Sequence, residues 1–139
     1  EGGLPFFRPA RSAEARDAAL AVLERFGLAA IADRPVLELA GGTRKLLDIA
    51  LAMTGRPKLL MLDEPTSGVS AEEKFPFMDR IMAALDRDGV TVLFVEHDMD
   101  IVGAYADRVL AFYAGQIIAD GAPDMVMADE GVRRHVTGH

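Results

Sequence analysis

Lys58-Leu59-Leu60-Met61-Leu62-Asp63-Glu64-Pro65 is the stretch on which the reading of the fold turns. Its unbroken apolar run predicts a strand over 58–62, buried on both faces as in a parallel sheet. Asp63 and Glu64 end that strand, and Pro65 opens a turn. The pattern returns at Val90–Val95, a second strand expected to be buried, with Glu96-His97-Asp98 directly after it. Between them a helix is predicted near 71–86. Pro76 falls inside it and predicts a kink or a late start. Upstream, Leu39-Ala40-Gly41-Gly42-Thr43 opens a helix to about Thr54, with Leu46, Leu47, Ile49, Ala50 and Met53 on its apolar face. The order strand–helix–strand–helix predicts an α/β fold with a mostly parallel sheet and flanking helices.

Farther out the signals are local. Ser12 is a plausible N-cap for a helix from Ala13 to about Phe26, where Ala15, Ala19, Val22, Leu23 and Phe26 recur at helical spacing and Gly27 is the stop. A short helix or loop covers 28–33 and cannot continue smoothly through Pro35. A helix is expected over 99–105. Arg108–Tyr113 and Gln116–Ala119 predict a hairpin around Ala114-Gly115. Helical signals recur at 124–128 and 130–136, whereas residues 1–10 read as a loop or frayed end.

The chain has 139 residues, half of them hydrophobic, which predicts one globular domain. Net charge is −7, from 15 basic and 22 acidic residues, which argues against a dedicated nucleic-acid or anionic-membrane binder. The absence of cysteine excludes disulfides, thiolate metal sites and a cysteine nucleophile. No apolar run approaches the roughly 18 residues of a membrane helix. No Gly-x-Ser-x-Gly suggests acyl transfer, and no metal-ligand spacing of His and carboxylates stands out. The first residue is Glu1 and no signal peptide follows, so the chain is expected to be processed or part of something longer.

Three features can carry chemistry. At a strand end, Asp63 can hold Mg²⁺ through water, and Glu64, pointing elsewhere by strand alternation, can orient or deprotonate an attacking water. The plain alternative is a pair of exposed carboxylates at a turn. His97 can sense a phosphate or bond a carboxylate on a neighbouring strand end; the alternative is a satisfied histidine in a turn. Gly41 and Gly42 at a helix start can turn backbone N–H groups toward an anion; the alternative is an ordinary flexible loop. His135 and His139 read as solvated, and Met53, Met61, Met78 and Met82 as core or partner contacts.

Taken in order, these features resemble the C-terminal part of an ABC-transporter ATP-binding subunit. Residues 39–43 resemble the signature Leu-Ser-Gly-Gly-Gln. Residues 59–64 resemble Walker B followed by the catalytic glutamate. Residues 65–70 stand at the D-loop, and His97 stands at the switch histidine. Arg56–Leu60, Val95–Asp100, Ala106–Val109 and Ile118–Pro123 are similar to the importers of branched-chain amino acids. Related urea and amide importers share much of this wording. The resemblance implies the C-terminal part of a P-loop NTPase-type ABC nucleotide-binding domain. Residues 1–38 would end the helical subdomain, and 39–139 would form the C-terminal part of the ATPase core.

It further implies ATP with Mg²⁺ as cofactors, Asp63 supporting the metal, Glu64 polarising water and His97 at the γ-phosphate. Ala40, Gly41 and Gly42 would serve the nucleotide of a second ATP-binding subunit in a head-to-tail dimer, and Thr43 and Ser70 are further cofactor-binding candidates. Transmembrane permease subunits would be the other partners, at the cytoplasmic face of the membrane. Three residues depart from the family pattern: Ala40 for serine, Thr43 for glutamine and Ser70 for aspartate. No Gly-x-x-x-x-Gly-Lys-Ser/Thr loop is present. Walker A and the Q-loop are therefore expected before Glu1, and this chain alone is expected to be inactive. A half domain would also leave strand edges open, which predicts self-association or marginal folding. Two alternatives are a non-transport ABC protein and a truncated or degenerate module that only docks a partner.

Overall fold

The computed structural model of the protein describes residues 13–137. The expectations for residues 1–10, Ser12 and His139 lie outside these residues. Helix α1 spans Ala13–Arg25, α2 Gly41–Met53, α3 Ala71–Asp86, α4 Met99–Tyr105, α5 Pro123–Ala128 and α6 Glu130–Val132. Strands are β1 Leu59–Asp63, β2 Thr91–Val95, β3 Val109–Tyr113 and β4 Gln116–Gly121. Short 3₁₀ turns lie at Ala29–Ile31 and Val36–Glu38, and a π-turn at Arg133–Thr137 closes the described chain.

β1 pairs with β2, and β3 with β4, in two separate sheets. Thr91 N–H donates to the Lys58 carbonyl at one end of the first pair (3.0 Å), and Glu64 N–H donates to the Val95 carbonyl at the other (2.9 Å). Residue numbers rise together along that pair, so the strands are parallel. β3 and β4 are antiparallel, from Val109 opposite Gly121 to Tyr113 opposite Gln116, with a bulge between Ala111 and Phe112. Ala114 (φ 49°) and Gly115 (φ 78°) both adopt left-handed backbone, the geometry of a tight hairpin turn.

The described residues form two compact units, residues 13–62 with 67–93, and residues 63–66 with 94–137. In the first, Phe26, Leu46, Ala50, Met53, Met78, Ile81 and Leu85 are buried. α1 ends in a Schellman cap: Leu28 N–H donates to Leu23 O (2.8 Å) and Gly27 N–H to Glu24 O (3.0 Å), with Gly27 at φ 68°. Arg25 adds a cross-link, donating to Ala84 O (2.7 Å) and Asp88 Oδ2 (2.6 Å). In the second unit, Ala111, Val126 and Val132 form a small core with Val109, Ile118 and Ala119 packed on it.

One expectation is corrected and two are narrowed. The parallel strands are covered on one face only: Leu60 is buried, whereas Leu59, Met61, Leu93 and Val95 are 52%, 68%, 44% and 60% exposed. Burial alternates along both strands, so a continuous apolar run does not by itself mean two covered faces. Of the two readings of Met61, core or partner contact, its exposure excludes the first, whereas Met53 and Met78 are buried. Of the two expectations for Pro76, a kink or a late start, the late start is not met: α3 begins at Ala71 with Ser70 as N-cap. The proline forgoes one backbone bond, to the Glu72 carbonyl, and the flanking turns remain helical.

Gly27→Ala should destabilise the protein by about 1 kcal/mol, the cost of a Cβ in left-handed backbone. A Cβ there would meet only the Arg80 side chain, at 3.9 Å, so the loss is conformational and not steric. Urea unfolding measures it; an unchanged midpoint contradicts it.

Candidate functional site

Asp63 is the last residue of β1 and is exposed. Glu64 follows with φ 44°, left-handed backbone that a residue with a Cβ adopts at a cost of about 1 kcal/mol. Its N–H still donates to Val95 O, which holds the turn against the end of β2. Glu64 is thus no longer a strand residue. This left-handed turn sets its direction, in place of the strand alternation expected from sequence.

The turn brings the two expected strand ends together. His97 Nδ1 lies 3.6 Å from Glu64 Oε1, with side chains 74% and 51% exposed. The distance is beyond a hydrogen bond, so the pair attracts mainly when the imidazole is protonated. Both groups face solvent and so remain accessible to a ligand.

Glu96 is a further residue of this site. Val92, Phe94 and Glu96 share the covered face by strand alternation, while Val95 and His97 are exposed. The Glu96 side chain is fully buried. Its Oε1 accepts from Thr66 N–H (2.8 Å) and Thr66 Oγ1 (2.5 Å), and its Oε2 accepts from His97 N–H (3.2 Å). Burial opposes the charge, but the bonds from Thr66, Asp98 and His97 outweigh it and hold the carboxyl below the ordinary glutamate value. Thr66 is itself 2% exposed. Asp98 caps α4, accepting from Asp100 N–H (3.2 Å) and Ile101 N–H (3.4 Å). The sequence held one signal for Glu96: period-2 alternation sends a charge inward, and a buried charge needs donors.

The glycine pair lies in the first unit. Ala40 is the N-cap of α2 and has no side-chain acceptor to offer, where serine would be a preferred cap. Gly41 and Gly42 are the first two helical residues. A Cβ at Gly41 would meet nothing within 4 Å, and one at Gly42 only Phe77, at 4.0 Å. Among the described residues, neither glycine is needed for positive φ or for packing. Thr43 is half-buried in the first turn, and Lys45 donates to Ser67 O (2.5 Å). Ser70 donates to Glu73 Oε2 (3.0 Å) and caps α3 through its carbonyl. His135 is exposed as expected, and it also stacks on Tyr113, with ring centroids 4.3 Å apart.

No group of three or more metal-ligating side chains occurs among the described residues. One exposed aspartate fits Mg²⁺ only where water and phosphate oxygens complete its shell. No helix among the described residues is long and apolar enough to cross a membrane.

A family model described as ABC transporter matches residues 4–67. The chain is 37% identical over 134 residues to the high-affinity branched-chain amino acid transport ATP-binding protein LivG of Escherichia coli (strain K12), covering 96% of this chain and 52% of LivG. It is 38% identical over 133 residues to the methionine import ATP-binding protein MetN of Caulobacter vibrioides, covering 93% and 39%. Among solved structures, an ATP-binding cassette of an ABC transporter superposes with a TM-score of 0.80 at 32% identity, over 92% of this chain and 51% of the other. The chain thus spans about half the length of LivG and of that cassette.

The depressed Glu96 carboxyl predicts an acid-labile contribution to stability. A carboxylate that titrates lower when folded stabilises the fold above its unfolded value, near 4.5, and loses that contribution as pH falls through the folded value. Denaturant midpoints should therefore drop below about pH 4.5 in the native chain, and less steeply in Glu96→Gln. Equal acid slopes would contradict the assignment.

Proposed function

We propose, for a chain similar in sequence and fold to ABC-transporter ATP-binding subunits over about half of their length, that it supplies half of an ATP-hydrolysing site that drives solute import. The observation that carries this reading is the approach of Glu64 to His97 at paired strand ends, beside exposed Asp63. Phosphoryl transfer depends mostly on positioning and charge. In this reading Glu64 orients the attacking water and takes up its proton. His97 donates a hydrogen bond toward the terminal phosphate, and Asp63 supports the Mg²⁺ that arrives with the nucleotide. That ion, when bound, neutralises phosphate charge.

Gly41 and Gly42 support a second role. Two glycines at a helix start cost helix stability, and no packing among the described residues requires them. Backbone N–H groups there, with Thr43 next in the chain and Ser70 at the start of α3, would meet the nucleotide of a second subunit in a head-to-tail dimer. Permease subunits at the cytoplasmic face of the membrane would take up the work. A branched-chain amino acid is the solute we favour, on the Arg56–Leu60 and Val95–Asp100 wording together with the likeness to LivG. The MetN likeness shows that similar chains serve other solutes.

Ala40, Thr43 and Ser70 favour a second reading, a module that docks a partner without catalysis. Losing the serine hydroxyl removes one hydrogen bond, on the order of 1 kcal/mol or several-fold in rate. The two readings separate experimentally. This chain alone should turn over ATP no faster than its Glu64→Gln variant, because no phosphate-cradling loop is present. Joined to a half that carries Walker A, it should hydrolyse ATP, and Glu64→Gln should then lower kcat by about 100-fold or more. Ala40→Ser should raise that turnover roughly fivefold. A joined protein with no Glu64-dependent turnover would leave the docking reading standing.

A further inference from the structure

We infer that Glu96 is a positioning residue, whose buried carboxylate ties the turn carrying Glu64 to the backbone of His97 and so sets the separation of that pair. The inference rests on the function proposed above for Glu64 and His97. Three links of one short ring support it. Glu64 N–H is bonded to Val95 O, one residue before Glu96. Thr66, two residues past Glu64, gives both its N–H and its hydroxyl to Glu96 Oε1. Glu96 Oε2 takes the N–H of His97. The backbone on either side of the Glu64–His97 contact is therefore anchored to one side chain.

The chemistry of the ring requires a carboxylate. Every neighbour is a donor, and both oxygens must accept. A glutamine at 96 has one oxygen and one NH₂, so either the Thr66 donors or the His97 N–H would face another donor. Thr66 is equally specific. Valine keeps its shape and its N–H but lacks the hydroxyl, whereas serine keeps the hydroxyl. Glu64 adds a reason for such an anchor, since left-handed backbone at a residue with a Cβ persists only where its surroundings hold it.

The test uses this chain joined to a Walker A-bearing half, with Glu96→Gln, Thr66→Val and Thr66→Ser variants. Glu96→Gln and Thr66→Val should lower kcat by about 10-fold or more while the KM for ATP stays within about twofold, because misplacement of reacting groups costs rate more than binding. Thr66→Ser should restore kcat to within about threefold of wild type. Amide hydrogen exchange is the second readout. Residues 66 and 97 should exchange about 10-fold faster in Glu96→Gln, with α2 unchanged. Unaltered kcat and unaltered exchange would overturn the inference. So would a loss in which KM, exchange across α2 and unfolding midpoint shift together, the mark of a merely structural role. Wild-type protein without Glu64-dependent turnover would instead overturn the proposed function, and exchange at residues 66 and 97 would still decide whether Glu96 anchors them.

Discussion

A buried carboxylate that can accept from four donors is the constraint around which the turn after β1 and the end of β2 are arranged. Glu96 lies at the point where β2 ends, and its charge cannot stay buried without the Thr66, His97 and Asp98 groups that face it. Satisfying it brings the turn after β1 against the end of β2. Glu64 and His97 then sit on the exposed side of that closed ring, within 3.6 Å of each other. Stability and the proposed chemistry thus share one hydrogen-bond network. The buried charge contributes structure, and the exposed pair remains available to a ligand.

The parallel pair illustrates a different balance. Leu60 is buried and Val92 half-buried, while Leu59, Met61, Leu93 and Val95 stay in contact with water. Each exposed apolar side chain forgoes on the order of 1–2 kcal/mol of burial. Backbone pairing and the one covered face nonetheless fix the register. On the hairpin, Phe112 and Ile117 face each other across the strands and are likewise exposed, while Ala111 carries the buried side of the ladder.

Local signals were legible wherever one residue type has one physical use. Gly27 ends α1 because a Schellman cap needs left-handed backbone. Ala114-Gly115 makes the hairpin turn for a related reason. The apolar period of Leu46, Ile49, Ala50 and Met53 gave the buried face of α2. Pro76 misled about the helix start alone, because a proline in the second turn of a helix removes one bond and need not shift the start. The two-face burial of β1 and β2 misled as well, because an apolar run records affinity for a core and not the presence of neighbours.

Element order, helix stops, the hairpin and the strand-end positions of Asp63, Glu64 and His97 were determined by the sequence alone, since each follows from periodicity or backbone conformation within a few residues. The tertiary structure decided the rest. It gave Glu64 its left-handed turn, buried Glu96, and joined that carboxylate to Thr66, thirty residues earlier in the chain. Such choices depend on which donors reach a buried charge, and that is a property of chain segments brought together in space, which no local pattern encodes.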